Sequence, residues 1–244
     1  MLKSDSFSKN FKRAVQTSGI MKAMKLSFES NPNIGTGIFV SNKLGLIGKS
    51  YEKRFKKELE SLFGVPFYGI TFAGTDLIGV FIAGNDDLIV IPDICFKEEL
   101  KEIRSICEKH EAKLIISEDR STALGNLALI GKEKAILSAE ICDKTAETIK
   151  KEAKLKIIKA ENFSSPLVGS LVSKNSTKAV TSPALSEEEI KLISKAFGIE
   201  CIKMSVNFGN NFVSSGLVMN DSGYAIGEHS TAVEIYEIDN FLRE

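Results

Sequence analysis

The chain has 244 residues, 43 % of them apolar, and its 32 basic and 32 acidic side chains cancel at neutral pH. That allows one large domain or two small ones; no apolar run approaches the ~20 residues of a membrane helix, and no apolar core of a secretion signal stands near the start. With two histidines and four cysteines that form no C-x-x-C pair, no zinc spacing can be assembled, and neither metal nor cofactor is expected.

Residues 1–23 carry Lys3, Lys9, Lys12, Arg13 and Lys22 against Asp5 alone, which leaves the rest mildly acidic. Such a body matches bare nucleic acid poorly and suits a basic protein surface better. The first 23 residues are Ser/Lys-rich with sparse apolar side chains, which predicts a disordered extension. Met21 and Met24 keep a misassigned start as the alternative reading. The folded domain is therefore expected over residues 24–244.

Lys25-Leu26-Ser27-Phe28-Glu29 alternates as a strand does. Asn33-Ile34-Gly35 follows, then strands with one over 44–47, a helix facing inward through Phe55, Leu59, Leu62 and Phe63, and a strand over 65–71. Leu77-Ile78-Gly79 opens the same series again. Its strand over 88–91 is closed by Pro92, its helix carries Phe96, Leu100, Ile103 and Cys107 on one face, and a strand follows over 113–117. The third series opens at Ala123-Leu124-Gly125 and has the weakest helix pattern, around Ala146, Ile149 and Ala153, before a strand over 155–160.

The fourth opens at Leu167-Val168-Gly169 and runs through Leu171-Val172-Ser173-Lys174-Asn175 to Pro183. Ser186 and Glu189 then form a capping box ahead of Ile190, Ile193 and Phe197, and a strand follows over 199–206. The fifth opens at Phe212-Val213-Ser214, passes through Gly216-Leu217-Val218-Met219-Asn220, and breaks off after Phe241 and Leu242. Neither a long helix nor a last strand is expected there.

The marker glycine, or the serine replacing it, thus recurs after 44, 46, 44 and 45 residues. A period in this range denotes one supersecondary unit repeated. The strand missing from the fifth unit is expected to be the one at 25–29, so that the two ends of the chain complete each other. This predicts a closed ring of five units around one shared core, with helices outside; an open array would show polar caps at its ends. Close strand approach or a bend toward the axis accounts for the glycines.

Five permuted strand-rich units of this length resemble the pentein fold: α+β, five pseudo-symmetric repeats with one helix each, closed into a ring (an α/β propeller). The wording resembles the archaeal and eukaryotic translation initiation factor 6 family, the ribosome anti-association factor. The residues carrying the match are Ser121-Thr122-Ala123-Leu124-Gly125-Asn126, Leu167-Val168-Gly169-Ser170, Val206-Asn207-Phe208-Gly209 and Ser215-Gly216-Leu217-Val218-Met219-Asn220. Ser230-Thr231-Ala232-Val233-Glu234 looks like the family's closing strand.

The resemblance implies a cytoplasmic monomer, with no membrane partner, on the joining face of the large ribosomal subunit, where it blocks docking of the small one. Its partners would be neighbouring ribosomal proteins, with the sarcin–ricin loop of the rRNA nearby. The family's contact positions fall on Asn126, which matches outright, and on Asp76, Val80 and Leu171, where several relatives carry arginines or an aromatic. The contact face should therefore be less basic here. Asn126 follows its marker where the other units carry Thr36, Val80, Ser170 and Ser215, and reads as a partner contact or a local loop cap.

Two alternatives come from other classes. Other penteins are guanidino-modifying enzymes that need a thiolate, a His acid/base and paired carboxylates. Here Cys201 and Cys95 lie in apolar runs and read as buried free thiols, as suits a reducing compartment. His110 ends a helix, His229 sits in a late turn, and no catalytic residue is assigned. The other alternative, a ring clamping nucleic acid, would want a basic inner surface, which the acidic body does not promise.

Overall fold

The computed structural model describes residues 21–244; the extension expected over 1–23 lies, up to residue 20, outside the described residues. The first strand, β1 (Lys22–Leu26), begins three residues before the stretch expected from alternation, so the boundary drawn after residue 23 falls inside it. Phe28 is not a strand residue. It bridges to Asn31 across a turn in which Glu29 and Ser30 take positive φ, 51° and 69°.

The first unit continues with a 3-10 turn at Ile34–Thr36, β2 (Ile38–Val40), β3 (Gly45–Gly48), α1 (Lys49–Phe63) and β4 (Phe67–Ile70). The second has α2 (Ile78–Phe81), β5 (Ala83–Gly84), β6 (Leu88–Pro92), α3 (Lys97–Lys109) and β7 (Lys113–Ser117). In the third come α4 (Leu124–Leu127), β8 (Ala128–Ile130), β9 (Lys134–Ser138), α5 (Asp143–Ala153) and β10 (Lys156–Ala160). The fourth opens on a hydrogen-bonded turn in which Ser170 N donates to Leu167 O at 3.0 Å. It continues with β11 (Val172–Lys174), β12 (Lys178–Thr181), α6 (Glu187–Phe197) and β13 (Glu200–Lys203), and the fifth comprises α7 (Val213–Gly216), β14 (Leu217–Met219), β15 (Gly223–Gly227) and α8 (Ala232–Arg243).

Each unit forms one three-stranded sheet, in which the central strand pairs antiparallel to the first and parallel to the third. In the fifth sheet β1 is the third strand, parallel to β15 with Lys22 opposite Gly223. A crossover connection is what a parallel pair requires, and in four units α1, α3, α5 and α6 supply it. α8 has no strand after it.

That helix corrects the expectation for the last unit. Ser230-Thr231-Ala232-Val233-Glu234 is not a strand. Thr231 Oγ1 accepts from Glu234 N at 3.2 Å, and the Glu234 carboxylate accepts from Thr231 N at 2.7 Å. This is the same T-x-x-E box that Ser186 and Glu189 form at α6.

The units do not share one core. Five separate apolar clusters form, and each spans the boundary between two neighbours. Alternation along the central strands explains this. Ile47 joins the cluster with Phe28 and Val218 of the fifth unit, whereas Leu46 joins the one with Ile78 and Ile103 of the second. Both faces of every sheet are therefore buried, which is why the central strands read as continuous apolar runs.

Four of the five boundaries carry a second, polar device at the start of a long helix. Glu99 of α3 accepts from Ala73 N and Gly74 N, both at 2.9 Å, so the turn after β4 is pinned to the next unit. Glu189 of α6 holds Ser164 after β10, and Glu234 of α8 holds Gly209 N (2.9 Å) and Phe208 N (3.2 Å) after β13. At α5 the roles reverse: Asp119, after β7, accepts from Cys142 N at 2.6 Å, and Thr145 pairs with Ser117 at 2.9 Å. At α1 the equivalent side chain is Tyr51, stacked on Phe28 with ring centroids 4.2 Å apart.

Candidate functional site

Five entry turns contain the marker residues, and they pack directly on one another. They are single helical or 3-10 turns, not strands, and the glycines are dictated by backbone proximity. A Cβ on Gly79 would stand 1.9 Å from Gly35 O; on Gly125, 2.0 Å from Gly79 O; on Gly169, 2.2 Å from Gly125 O. Ser214 N donates to Ser170 O at 3.1 Å, and a Cβ on Gly35 would stand 1.8 Å from Ser214 O. Each turn thus touches the one before it, and the first touches the fifth. Phe39, Leu129 and Val218, on the strands leaving these turns, are all buried.

The residues after the markers occupy one tier. Thr36, Ser170 and Ser215 each turn a hydroxyl back to the carbonyl three residues earlier, at 2.7, 2.8 and 2.7 Å. Asn126 and Val80 do not. Asn126 is half-buried in α4, and its backbone carbonyl accepts from Gly169 N (2.8 Å) and Ser170 N (3.3 Å). Its amide side chain makes no hydrogen bond among the described residues, so it caps nothing locally. Val80 is also half-buried, at the same tier of α2.

Asp76 stands just outside this tier with a structural task of its own. Its Oδ1 accepts from Ser50 N at 3.1 Å in the first turn of α1, packed over Gly48. A carboxylate there satisfies an orphan donor and complements the helix dipole. Burial, then Asp76 and Glu29, push the neighbouring Tyr51 hydroxyl above its ordinary pKa. Leu171 does not belong to the exposed surface. It is 2 % exposed and lies in the cluster shared by the third and fourth units, because the alternation into β11 turns it inward. Its side chain supports the turn from beneath.

The spacing that marks Glu189 as a helix cap does not show that it, Glu99 and Glu234 also reach across to the preceding unit. Burial opposes ionisation of Glu99, Glu189 and Glu234, but hydrogen bonds from neighbouring backbone and hydroxyl groups outweigh it and hold all three below the usual carboxylate range. Thr231 and Glu234 carry the same three-residue spacing as Ser186 and Glu189. Phe208 lies in the loop after β13. It is 82 % exposed at φ 64°, between Asn207 at 49° and Gly209 at 88°. Asn207 reaches Pro32 O at 2.9 Å and so ties this loop to the first unit.

The thiols are not arranged as a nucleophile would need. Burial pushes Cys107 up to about 11, and Cys95 and Cys201, half-buried where the sequence suggested full burial, are also raised. Cys142 is exposed at the start of α5. His110 sits 2.8 Å from the Tyr68 hydroxyl, its pKa lowered by burial and then by Lys109 and Lys43. His229 is exposed. Among the described residues no cluster of three or more His, Cys, Asp or Glu side chains could hold a metal, and no helix is long and apolar enough to cross a membrane.

The entry turns of five repeated units, packed on one another, bring the marker residues side by side. The chain belongs to the eIF-6 family, whose model matches residues 23–241. It is 32 % identical over 222 residues to translation initiation factor 6 of Staphylothermus marinus, covering 89 % of this chain and 96 % of that one. Translation initiation factor 6 of Sulfolobus acidocaldarius is 28 % identical over 215 residues, with 88 % and 96 % covered. Eukaryotic translation initiation factor 6 of Dictyostelium discoideum is 26 % identical over 222 residues, with 90 % and 91 % covered. Among solved structures, a dimethylarginine dimethylaminohydrolase adduct overlaps 75 % of this chain and 70 % of its own, at a TM-score of 0.49 and 11 % identity. That likeness is too distant to carry an argument.

Proposed function

We propose that this protein is a translation factor that acts as a steric plug: a single five-unit pentein ring that sits on the joining face of the large ribosomal subunit and keeps the small subunit from docking. Family membership carries this reading. The cycle of contacts from the first entry turn to the fifth supports ring closure. The same turns supply a rigid tier for docking, with Asn126 and Val80 as contacts and Asp76 at its margin; Leu171 acts through the packing below. Binding needs no cofactor, and a cytoplasmic monomer suffices. The raised thiols give no support to a guanidino-modifying enzyme.

The test is sedimentation with isolated large subunits, followed by addition of small ones. Co-migration and loss of joined ribosomes are expected; free migration at micromolar concentration overturns the proposal. Asn126→Arg should weaken subunit binding with a nearly unchanged melting temperature. A folded variant that binds normally removes Asn126 from the footprint.

A further inference from the structure

The outward faces of the long helices differ in one respect. In α1, α3 and α5 every exposed side chain is polar or charged, and α6 exposes one large apolar residue, Leu192, at 36 %. α8 exposes Val233 at 68 % and Tyr236 at 63 %, three residues apart and so on one face of the helix. An amphipathic helix turns its apolar stripe to the core and charge to water. α8 buries Ile238 and Leu242 as that rule requires, and it carries a second apolar face besides.

That second face is also acidic. Glu237 and Glu244 are exposed, and among the described residues neither has a cation within 4.0 Å. Nearby cations are engaged elsewhere: Arg243 with Asp239 at 2.7 Å, and Lys178 Nζ with Phe241 O at 2.5 Å. Glu244 closes the helix, where the dipole disfavours a carboxylate. Apolar area and unmatched negative charge thus lie together on one helix face.

Where the chain enters points to the occupant. Met21 packs against the cluster that holds Ile238 and Leu242, and Lys22 N donates to Ser222 O at 3.2 Å, so β1 begins beside the last turns of α8. Residues 1–20, outside the described residues, place Phe7 and Phe11 among Lys9, Lys12 and Arg13, with Asp5 as the one acidic side chain. Read back from Met21, Arg13 and Lys12 come before Phe11 and Phe7. Read back from its end, α8 presents Glu244 and Glu237 before Tyr236 and Val233, the complementary order. Its 12 residues span about 18 Å, well within the reach of the preceding segment. We infer that residues 1–20 fold back over α8 as a strap, phenylalanines against Val233 and Tyr236 and cations against Glu237 and Glu244. Side chains too sparse for a core of their own suffice here, because a covalent tether presents them at an effective concentration of about millimolar. The strap extends the closure made by β1, and it does not depend on ribosome binding.

The experiment follows tryptic cleavage after Arg13 in the full chain, relative to the same cleavage in a synthetic peptide of residues 1–20. Cleavage in the chain should be about tenfold slower or more. Val233→Ser/Tyr236→Ser, with folding checked by its thermal melt, should bring the rate to within about twofold of the peptide's. Phe7→Ser/Phe11→Ser should do the same, and combining the two pairs should add nothing further, because both remove one contact. High salt should reduce the protection, since the ion pairs are exposed. A parent rate equal to the peptide's, a folded α8 variant protected like the parent, or additive effects of the two pairs would each overturn the strap. Protection that rises with protein concentration would also overturn it, by assigning the face to a second copy of the chain.

Discussion

Glu234→Gln tests whether buried carboxylates hold the units together. Glu234 is 5 % exposed and accepts from Thr231 N (2.7 Å), Thr231 Oγ1 (3.0 Å), Ser205 Oγ (2.7 Å), Gly209 N (2.9 Å) and Phe208 N (3.2 Å). Glutamine keeps the shape but sets an NH2 against donors in either orientation. At least one backbone N–H then loses its acceptor, at a cost of about 1–3 kcal/mol. The surviving bonds lose charge assistance, which removes roughly another 1 kcal/mol. The sum is about 3 kcal/mol, or a melting temperature lower by roughly 6–12 °C for a protein of this size.

Urea and thermal unfolding of the variant beside Glu237→Gln, an exposed neighbour on the same helix, is the assay. The control should stay within about 0.5 kcal/mol. The difference should also vanish in acid. A carboxyl held below its unfolded value stabilises the fold fully above about pH 4.3 and loses that contribution as pH falls through its folded pKa. A loss under about 1 kcal/mol at pH 7, or one that grows as pH falls below about 4.3, refutes the reasoning.

Gly79→Ala should abolish soluble folded protein, because its Cβ has backbone carbonyls at 1.9 and 2.5 Å that no rotamer change can clear; a cooperative melt near the parent's would contradict this. Tyr51→Phe should be nearly neutral, whereas Tyr51→Ala should cost about 1–3 kcal/mol by removing the stack on Phe28, read by denaturant unfolding. Leu171→Arg should unfold the protein rather than selectively weaken a contact, since the side chain is buried; a stable variant defective only in subunit binding would restore it to the docking surface. Subunit binding should respond to salt with a log–log slope shallower than about −6, measured by sedimentation, because Asp76 and Val80 contribute no positive charge.

The repeat was legible because marker glycines are imposed by backbone contact, and contact of that kind tolerates no substitute larger than a turn can absorb. Strand positions were legible where both faces are buried, as at Leu88 to Pro92. Reading failed where one local pattern serves two structures. Lys25 to Glu29 alternates, yet Glu29 and Ser30 are a left-handed turn whose conformation leaves no mark in hydrophobicity. Thr231 to Glu234 looks β-branched and extended, but two reciprocal hydrogen bonds make it a helix start. Composition does not say to which neighbour each face of a strand turns, so it predicts one core where five clusters form. Of the candidate site, Asn126 is proposed as a contact through the family resemblance, and comparison among the units shows only that it is the one large amide at its tier, while the inward turn of Leu171 depends on packing that no short motif encodes.

The pairing of β1 with β15 has a consequence for synthesis. The first strand emerges from the ribosome roughly 200 residues before its partner, a wait of about 10–40 s at ordinary elongation rates. Throughout that interval the nascent chain presents an open fifth position, with the row of backbone amides and carbonyls of β1 unsatisfied. Its final assembly step is therefore a late, non-local closure, and premature truncation anywhere upstream of β15 leaves a molecule with an exposed edge rather than a smaller version of the same protein.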